Sequence, residues 1–236
     1  SNGYHAEFVN VPKNLCALLP KNILLEYGTF VPLASIGLQG IRLANPELGE
    51  TFLVSGLGLI GQLTCQLLIN NGCNVLGIDP DFERCELAKS YGVETLNISE
   101  GIDPLSWCMK KTNNIGIDGA IITAATNSSE PIDLAAEACR KRGRIVLVGV
   151  TGTYLKRDTF YKKELSFQVS CSYGPGRYDK NYEEEGNDYP LCYVRWTEKR
   201  NFEAILYCLK KKQLKVDKLI SGKFDIKDAK FAYESL

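Results

Sequence analysis

Thr51-Phe-Leu-Val-Ser-Gly56-Leu-Gly58-Leu-Ile-Gly61, continuing through Gln62-Leu-Thr-Cys-Gln-Leu-Leu-Ile-Asn70 to Asn74-Val-Leu-Gly-Ile-Asp79, decides the fold. A short apolar run feeds a glycine-rich turn, a segment of helical period follows, and a second apolar run ends on a carboxylate. That order is the fingerprint of a dinucleotide site on a parallel sheet. Each glycine has its own steric task. Gly56 permits the tight turn out of the strand, Gly58 lets a pyrophosphate approach the backbone, and Gly61 lets the helix lie close to the sheet. The first N–H groups of that helix, at Leu59, Ile60 and Gly61, would face the phosphates, reinforced by the helix dipole. Asp79 stands where the second strand should end, so its carboxylate can accept from the ribose hydroxyls of NAD and repel a 2′-phosphate. Pro80 follows it. Arg84, one turn into the next helix, is the residue that could reach a 2′-phosphate, but with Asp79 repelling that group NADP is the less favoured cofactor. The competing reading is a glycine-rich turn that merely packs strand on helix.

Outward from this stretch, short apolar runs alternate with amphipathic segments, the pattern of parallel strands joined by crossover helices. Ile60, Leu63, Leu67 and Leu68 share one face of a helix over about 58 to 70. Helices are expected from 81 to 91, where Gly92 offers a C-terminal stop, from 103 to 111 and from 129 to 140. Strands are expected over 93 to 98, 117 to 123, 144 to 150 and 165 to 170. With the two strands already placed, that makes six, a complete doubly wound α/β domain. Ligand contacts in such a sheet come from the carboxyl ends of the strands. Here these are Thr123-Ala124-Ala125, Gly149-Val150 and Cys171-Ser-Tyr173, where small residues leave room for a nicotinamide ribose.

The chain has 236 residues, enough for a sizeable core. With 28 basic and 28 acidic residues its formal charge is zero, so no global field recommends nucleic acid or an anionic membrane as a partner. The basic cluster Lys210 to Lys212, with Lys215 and Lys218, falls at an expected helix end, where cations complement the dipole. No apolar run approaches the roughly 20 residues that span a bilayer, and no signal peptide is read at the start. The nine cysteines are scattered without a CxxC pair, which argues for reduced thiols and a cytoplasmic setting. His5 is the sole histidine and no cysteine cluster has zinc-site spacing, so no metal site is expected; His5 reads as an ordinary polar residue near a terminus.

Residues 1 to 20 and 219 to 236 fit the doubly wound pattern less well. Segments around 5 to 12, 15 to 20 and 219 to 224 read as strands whose partners lie in a second domain, and a closing helix is expected from 227. Ser1 and Asn2 read as a cloning remnant. Residues 173 to 197 form a long connection carrying five tyrosines, one tryptophan and two arginines besides its glycines and acids. Such residues bury area and still hydrogen-bond, which argues against disorder. This segment either covers the nicotinamide mouth, offering Arg177, Tyr178, Tyr193 or Arg195 to a hydroxylated or anionic substrate, or makes a subunit or domain contact.

Several short stretches occur in family order: Ala6-Glu-Phe-Val9 with Val11-Pro12 and Pro20, Gly37-Leu-Gln-Gly40, Leu48-Gly-Glu50, Gly56 to Gly61, and Gly143-Arg-Ile-Val-Leu-Val-Gly149. Through them the chain resembles the medium-chain dehydrogenase/reductase superfamily, in which a GroES-like catalytic domain is interrupted by a Rossmann domain. Gly37 to Arg42, Ser172-Tyr-Gly-Pro-Gly-Arg-Tyr178 and Tyr193-Val-Arg-Trp196 look like the dehydrogenase half of bacterial bi-domain oxidoreductases associated with polysaccharide biosynthesis. The resemblance implies remnants of the GroES-like domain over 1 to 30 and 218 to 236, around a Rossmann domain over 31 to 217. It carries over the cofactor platform at Gly56, Gly58, Leu59, Ile60, Gly61, Asp79, Thr123 to Ala125 and Gly149 to Val150. It also implies a homodimer through the sixth-strand edge at Leu165 to Cys171. The cysteine and histidine-glutamate ligands of zinc-dependent members and their four-cysteine lobe have no counterpart here. The expectation is therefore a zinc-independent, NAD-dependent oxidoreductase domain moving hydride to or from an alcohol or carbonyl of a carbohydrate-like molecule, with no acid or base assigned. The alternative is a dinucleotide-binding or regulatory module without turnover of its own.

Overall fold

A computed structural model describes residues 6–235. Its centre is a six-stranded sheet formed by β1 (Thr51–Ser55), β2 (Asn74–Asp79), β3 (Glu94–Asn97), β4 (Ile117–Ile122), β5 (Cys139–Leu147) and β6 (Ser166–Val169). Every pairing is parallel, in the order β3-β2-β1-β4-β5-β6. The chain works outward from β1 to β2 and β3, then returns to β4 on the other side of β1 and continues to β5 and β6. The carboxyl ends of β1 and β4 therefore meet at a topological switch point, where such sheets open a crevice.

Among the described residues ten helices accompany the sheet, several of them packing on its two faces. They are α1 (Leu25–Gly28), α2 (Phe30–Ala44), α3 (Leu59–Asn70), α4 (Phe82–Ser90), α5 (Pro104–Lys111), α6 (Glu130–Ala138), α7 (Arg157–Lys163), α8 (Lys180–Glu183), α9 (Glu198–Lys210) and α10 (Ala229–Glu234). Successive residues of a strand point to opposite faces. Phe52 and Val54 of β1 accordingly join Ala34, Leu63, Leu67 and Ile205 in one buried cluster, while Leu53 joins Ile122, Ile132 and Ala135 in the other. Strands buried on both sides need continuous apolar runs, which is why Phe52-Leu-Val54 and Ala120-Ile-Ile122 show no polar alternation. On the first face α2 lies close against α3: a Cβ on Gly37 would stand 2.4 Å from Thr64 Oγ1. At the amino edge, Asp118 accepts from the Thr51 N–H at 2.8 Å and from Arg140 Nε at 2.6 Å, and Arg144 Nη2 bonds Glu50 at 2.5 Å, tying β1, β4 and β5 together.

The six strands and the helices between them fall where the apolar periodicity puts them, within a few residues. The largest shift is at β5, which begins at Cys139, inside the segment expected to be helical. Cys139 pairs with Ile117 ahead of a bulge, and Arg142 takes a left-handed conformation with φ of 62° to restore the register. The ends depart from expectation. Among the described residues neither 6 to 20 nor 219 to 224 forms a strand: the first holds only a 3-10 turn, Lys13–Leu15, and the second is irregular after another, Asp217–Leu219. An edge-type sequence without a hydrogen-bonding neighbour has no ladder to join, so its β pattern goes unused. The closing helix is present as α10, and Ser1, Asn2 and His5 lie outside the described residues. No helix among the described residues is long and apolar enough to cross a membrane.

Phe52 is fully buried at the centre of the sheet, under the Arg144 guanidinium and against Gly119. Phe52→Ala should lower unfolding free energy by about 3 to 5 kcal/mol. Urea denaturation of the variant would check this, and a loss below about 1 kcal/mol would mean that the site collapses without leaving a cavity.

Candidate functional site

At the switch point the sequence leaves β1 through Gly56 with φ of 95°, a conformation that L side chains rarely adopt. A Cβ there would also meet the Ala124 backbone nitrogen at 2.6 Å, because the β4 turn crosses directly over it. A Cβ on Gly61 would stand 2.0 Å from the Gly56 carbonyl oxygen, so the first turn of α3 sits on the turn that launches it. Gly58 differs: a Cβ there would meet nothing within 4 Å, and the space in front of it is open. Having no side chain, Gly58 gives α3 no side-chain cap, so the N–H groups of the first turn, at Leu59, Ile60 and Gly61, keep their donor capacity. These features make a cradle for a negatively charged group at the start of α3.

Asp79 closes the other side. It is 3% exposed, and Oδ2 accepts from the Leu57 N–H at 2.7 Å while Oδ1 accepts from the Asp81 N–H at 2.9 Å. The carboxylate thus anchors the glycine loop to the end of β2. A carboxylate has about four acceptor sites, so capacity for hydroxyl donors remains on both oxygens. Arg84 Nη1 lies 3.9 Å from Asp79 Oδ1, and its Nε lies 3.6 Å from Asp81 Oδ2. Its charge is shared between two carboxylates.

A cleft of about 750 Å³ opens between these groups and the β4 turn. Gly56, Gly58, Asp79, Pro80, Arg84, Thr123, Ala124 and Ala125 all line it, joined by Ile98, Leu105 and Leu134, which form an apolar wall that sequence reasoning did not single out. These residues sit in connections after β3 and β4 and look like ordinary core or loop positions in sequence. Five carboxylates line the cleft (Asp79, Asp103, Glu130, Asp133 and Glu137), against Arg84 and Lys156, and Lys156 pairs with Asp133 at 2.9 Å. Thr123 Oγ1 donates to the Gly56 carbonyl at 2.5 Å and is occupied in holding the two turns together. Gly149 and Val150 do not line the cleft. They pair beside it, the Val150 N–H donating to Ala124 at 3.0 Å and the Thr126 N–H to Val150 at 2.8 Å, which extends the sheet by one bridge past β4 and β5.

None of the four side chains proposed from sequence as substrate contacts lines the cleft. Arg177 is spent on Glu183, at 2.6 Å, and stacks on Tyr178 with the guanidinium 4.0 Å from the ring centroid. Tyr178 and Tyr193 project into solvent. Arg195 lines a separate groove among α2, α3 and α9. Residues 173 to 197 fold on themselves around buried Tyr182, whose hydroxyl donates to Thr197 Oγ1 at 2.9 Å and whose ring stacks on Tyr189 at 5.3 Å. Asn14 Nδ2 donates to the Tyr182 carbonyl at 2.8 Å, so the Lys13–Leu15 turn docks on this segment. Internal packing absorbs Tyr182 and Tyr189, while the two tyrosines offered to a ligand stay in solvent away from the cleft.

Two buried features were not anticipated. The Gln62 amide donates to Leu57 and Arg84 carbonyls beside the glycine loop, tying that loop to α4. Glu198, at the start of α9, is fully buried with neither carboxylate oxygen hydrogen-bonded among the described residues. Burial pushes its carboxyl up to about 7; the charge of Glu183 adds to the shift and that of Arg177 opposes it.

Among the described residues no three His, Cys, Asp or Glu side chains are grouped to hold a metal ion, so no zinc chemistry is assigned to them. All nine cysteines are free, five of them buried.

A parallel sheet of this order, with a glycine turn and an acidic strand end facing one cleft, defines a doubly wound protein of Rossmann type. The family model described as zinc-binding dehydrogenase matches residues 60–185, more than half of the sequence, and the chain belongs to that family, within the medium-chain dehydrogenase/reductases. An alcohol dehydrogenase of Moraxella sp. (strain TAE123) is 26% identical over 152 residues, covering 63% of this chain and 43% of that protein. Galactitol-1-phosphate dehydrogenase from Escherichia coli superposes with a TM-score of 0.74 at 24% identity, over 93% of this chain and 59% of that one. A short-chain alcohol dehydrogenase of Escherichia coli CFT073, solved with NADH, gives 0.72 at 23% identity, over 92% and 57%. The chain spans about half the length of the curated relatives it matches.

Glu198 supplies a pH prediction. Because the folded carboxyl titrates near 7 and an unfolded one near 4.5, ionisation opposes folding, and the penalty accumulates as pH rises from about 4.5 through about 7. Glu198→Gln should match wild type at pH 4 and exceed its stability by roughly 3 kcal/mol at pH 8. Parallel stability curves for the two proteins across that range would refute the assignment.

Proposed function

We propose that this chain is the NAD-binding part of a dehydrogenase that exchanges hydride with an alcohol or carbonyl of a carbohydrate-like small molecule. The observation that carries the reading is the Asp79 carboxylate, set at the carboxyl end of β2 in the same cleft as the open face of Gly58. NAD supplies the hydride chemistry when bound. The protein's share is orientation. Gly58 and the first turn of α3 hold the pyrophosphate, Asp79 accepts from the adenosine ribose, and the Ile98, Leu105 and Leu134 wall excludes water from the adenine. Thr123 to Ala125 and the Gly149–Val150 turn stand on the nicotinamide side. The excess of carboxylates, with Arg84 already between Asp79 and Asp81, disfavours the 2′-phosphate of NADP.

The names of the Moraxella and galactitol-1-phosphate enzymes support an alcohol-bearing substrate, and the motifs at Ser172–Tyr178 and Tyr193–Trp196 are the basis for placing it in polysaccharide biosynthesis. Nine free cysteines suit a reducing cytoplasm. The outer edge of β6 is unpaired in the sheet order, and we assign it to a homodimer contact.

Calorimetric titration of the chain with NADH, and separately with NADPH, tests the cofactor. NADH should bind saturably and more tightly. Asp79→Asn keeps the volume and removes the charge; it should weaken NADH by about tenfold to a hundredfold, the worth of one charge-assisted hydrogen bond of roughly 1.5 to 3 kcal/mol, and narrow the preference over NADPH. An unchanged NADH affinity in this variant, with an unchanged melting temperature, would remove Asp79 from the ribose contact. Binding of neither dinucleotide by wild type would end the enzyme reading.

A further inference from the structure

A second cavity, of about 500 Å³, lies in the groove between α2, α3 and α9 and shares no lining residue with the cleft. Its wall carries an unusual stack. The Arg42 guanidinium lies 3.4 Å from the centroid of the Trp196 ring, and the Arg195 guanidinium lies 3.8 Å from the same ring. Neither arginine forms an ion pair among the described residues. Arg42 donates only through Nε, to Asn201 Oδ1 at 2.8 Å, and its two terminal nitrogens bond nothing there. Asn201 is itself fully buried and fixed by donating to the Tyr173 carbonyl at 2.8 Å, so Arg42 is held from behind in one orientation. Arg200, which also lines the groove, is neutralised by Asp188 at 2.5 Å, leaving Glu203 as the one acidic side chain on the wall.

Two like charges on one aromatic ring repel each other. Burial and the neighbouring Arg195 together pull the Arg42 guanidinium down to about 10. Such an arrangement costs folding free energy unless an anion relieves it, and planar guanidinium donors match the oxygens of phosphate or carboxylate. The cavity volume falls in the range of small-molecule sites. We propose that this groove binds a small molecule bearing a doubly charged oxyanion, held by the terminal nitrogens of Arg42 and by Arg195, with the exposed Tyr207 hydroxyl as a further donor at the rim. The site is independent of the dinucleotide reading, because it uses none of the residues assigned to the cofactor. Asn201 bonds the Tyr173 carbonyl just beyond β6, which gives an occupied groove a mechanical connection to the carboxyl edge of the sheet.

The test is calorimetric titration of the chain with inorganic phosphate and, separately, with citrate, with tryptophan emission recorded in a Trp107→Phe background so that Trp196 reports alone. Saturable one-to-one binding with a change in Trp196 emission is expected for at least one probe, and which probe binds distinguishes a phosphoryl from a carboxylate ligand. Affinity should fall at least tenfold in Arg195→Gln and as sodium chloride is raised. Arg195 is exposed, so this variant should fold; Arg195→Lys, which keeps the charge and loses the planar stack, should bind with intermediate affinity. No saturable binding of either probe would overturn the proposal. So would binding undiminished in Arg195→Gln but abolished in Arg84→Gln, which would place the anion in the cleft.

Discussion

The 2.0 Å that would separate a Gly61 Cβ from the Gly56 carbonyl is the constraint on which the sheet opening depends. With hydrogen in place of that Cβ, α3 begins directly above the end of β1 and its dipole axis points out over the strand ends. The Thr123 hydroxyl then reaches the Gly56 carbonyl, and the Asp79 carboxylate reaches the Leu57 N–H. Three strands adjacent in the sheet, β2, β1 and β4, are thereby bound to one turn, Gly56 to Gly58. A side chain at position 61 would lift the helix, and both anchoring bonds would lengthen together.

That geometry gives Asp79 a structural task beside the ribose contact proposed for it. From sequence the residue is a ribose acceptor, a role read from its place at the end of a strand. In the folded chain its oxygens first satisfy backbone donors of the glycine loop and of the start of α4. The two roles reinforce each other: a carboxylate already oriented by two N–H groups loses little freedom on meeting a hydroxyl. Replacing it with alanine removes both anchoring bonds together with the ligand contact; asparagine keeps one of the two and is the milder substitution, read together with the melting temperature.

The sheet and its crossovers were legible because strands buried on both faces must be apolar throughout and helices between them must be amphipathic, so Phe52-Leu-Val54, Leu63, Leu67 and Ile121 announce their places. The glycine motif and Asp79 were legible for the same reason: each residue type is forced by a steric or charge requirement. The tyrosine-rich segment was not. Arg177, Tyr178, Tyr193 and Arg195 have chemistry that suits a substrate, a protein neighbour or each other, and composition does not rank these partners. Glu183 captures Arg177, and Trp196 captures Arg195. The apolar patterns at 6 to 20 and 219 to 224, read as strands with partners in a second domain, form no strand among the described residues, since alternation states a preference for a ladder and needs a neighbouring strand to satisfy it.

Segment 173–197 also changes what the cleft and the groove mean for each other. Its backbone runs from the Tyr173 end of the sheet to the cap of α9 at Thr197, and buried Tyr182 ties the middle of that path to its end through Thr197. A buried Glu198 with no hydrogen-bond partner among the described residues is a weak point in an otherwise packed core, and its ionisation would work against folding there. Asn201 lies one turn further along the same helix, where it bonds both the Arg42 guanidinium and the Tyr173 carbonyl. A shift of that first turn would therefore move the groove's half-buried Arg42 and the backbone beyond β6 in the same step. The two cavities share no side chain, and the Asn201 bond to the Tyr173 carbonyl is the path by which α9 reaches the backbone beyond β6.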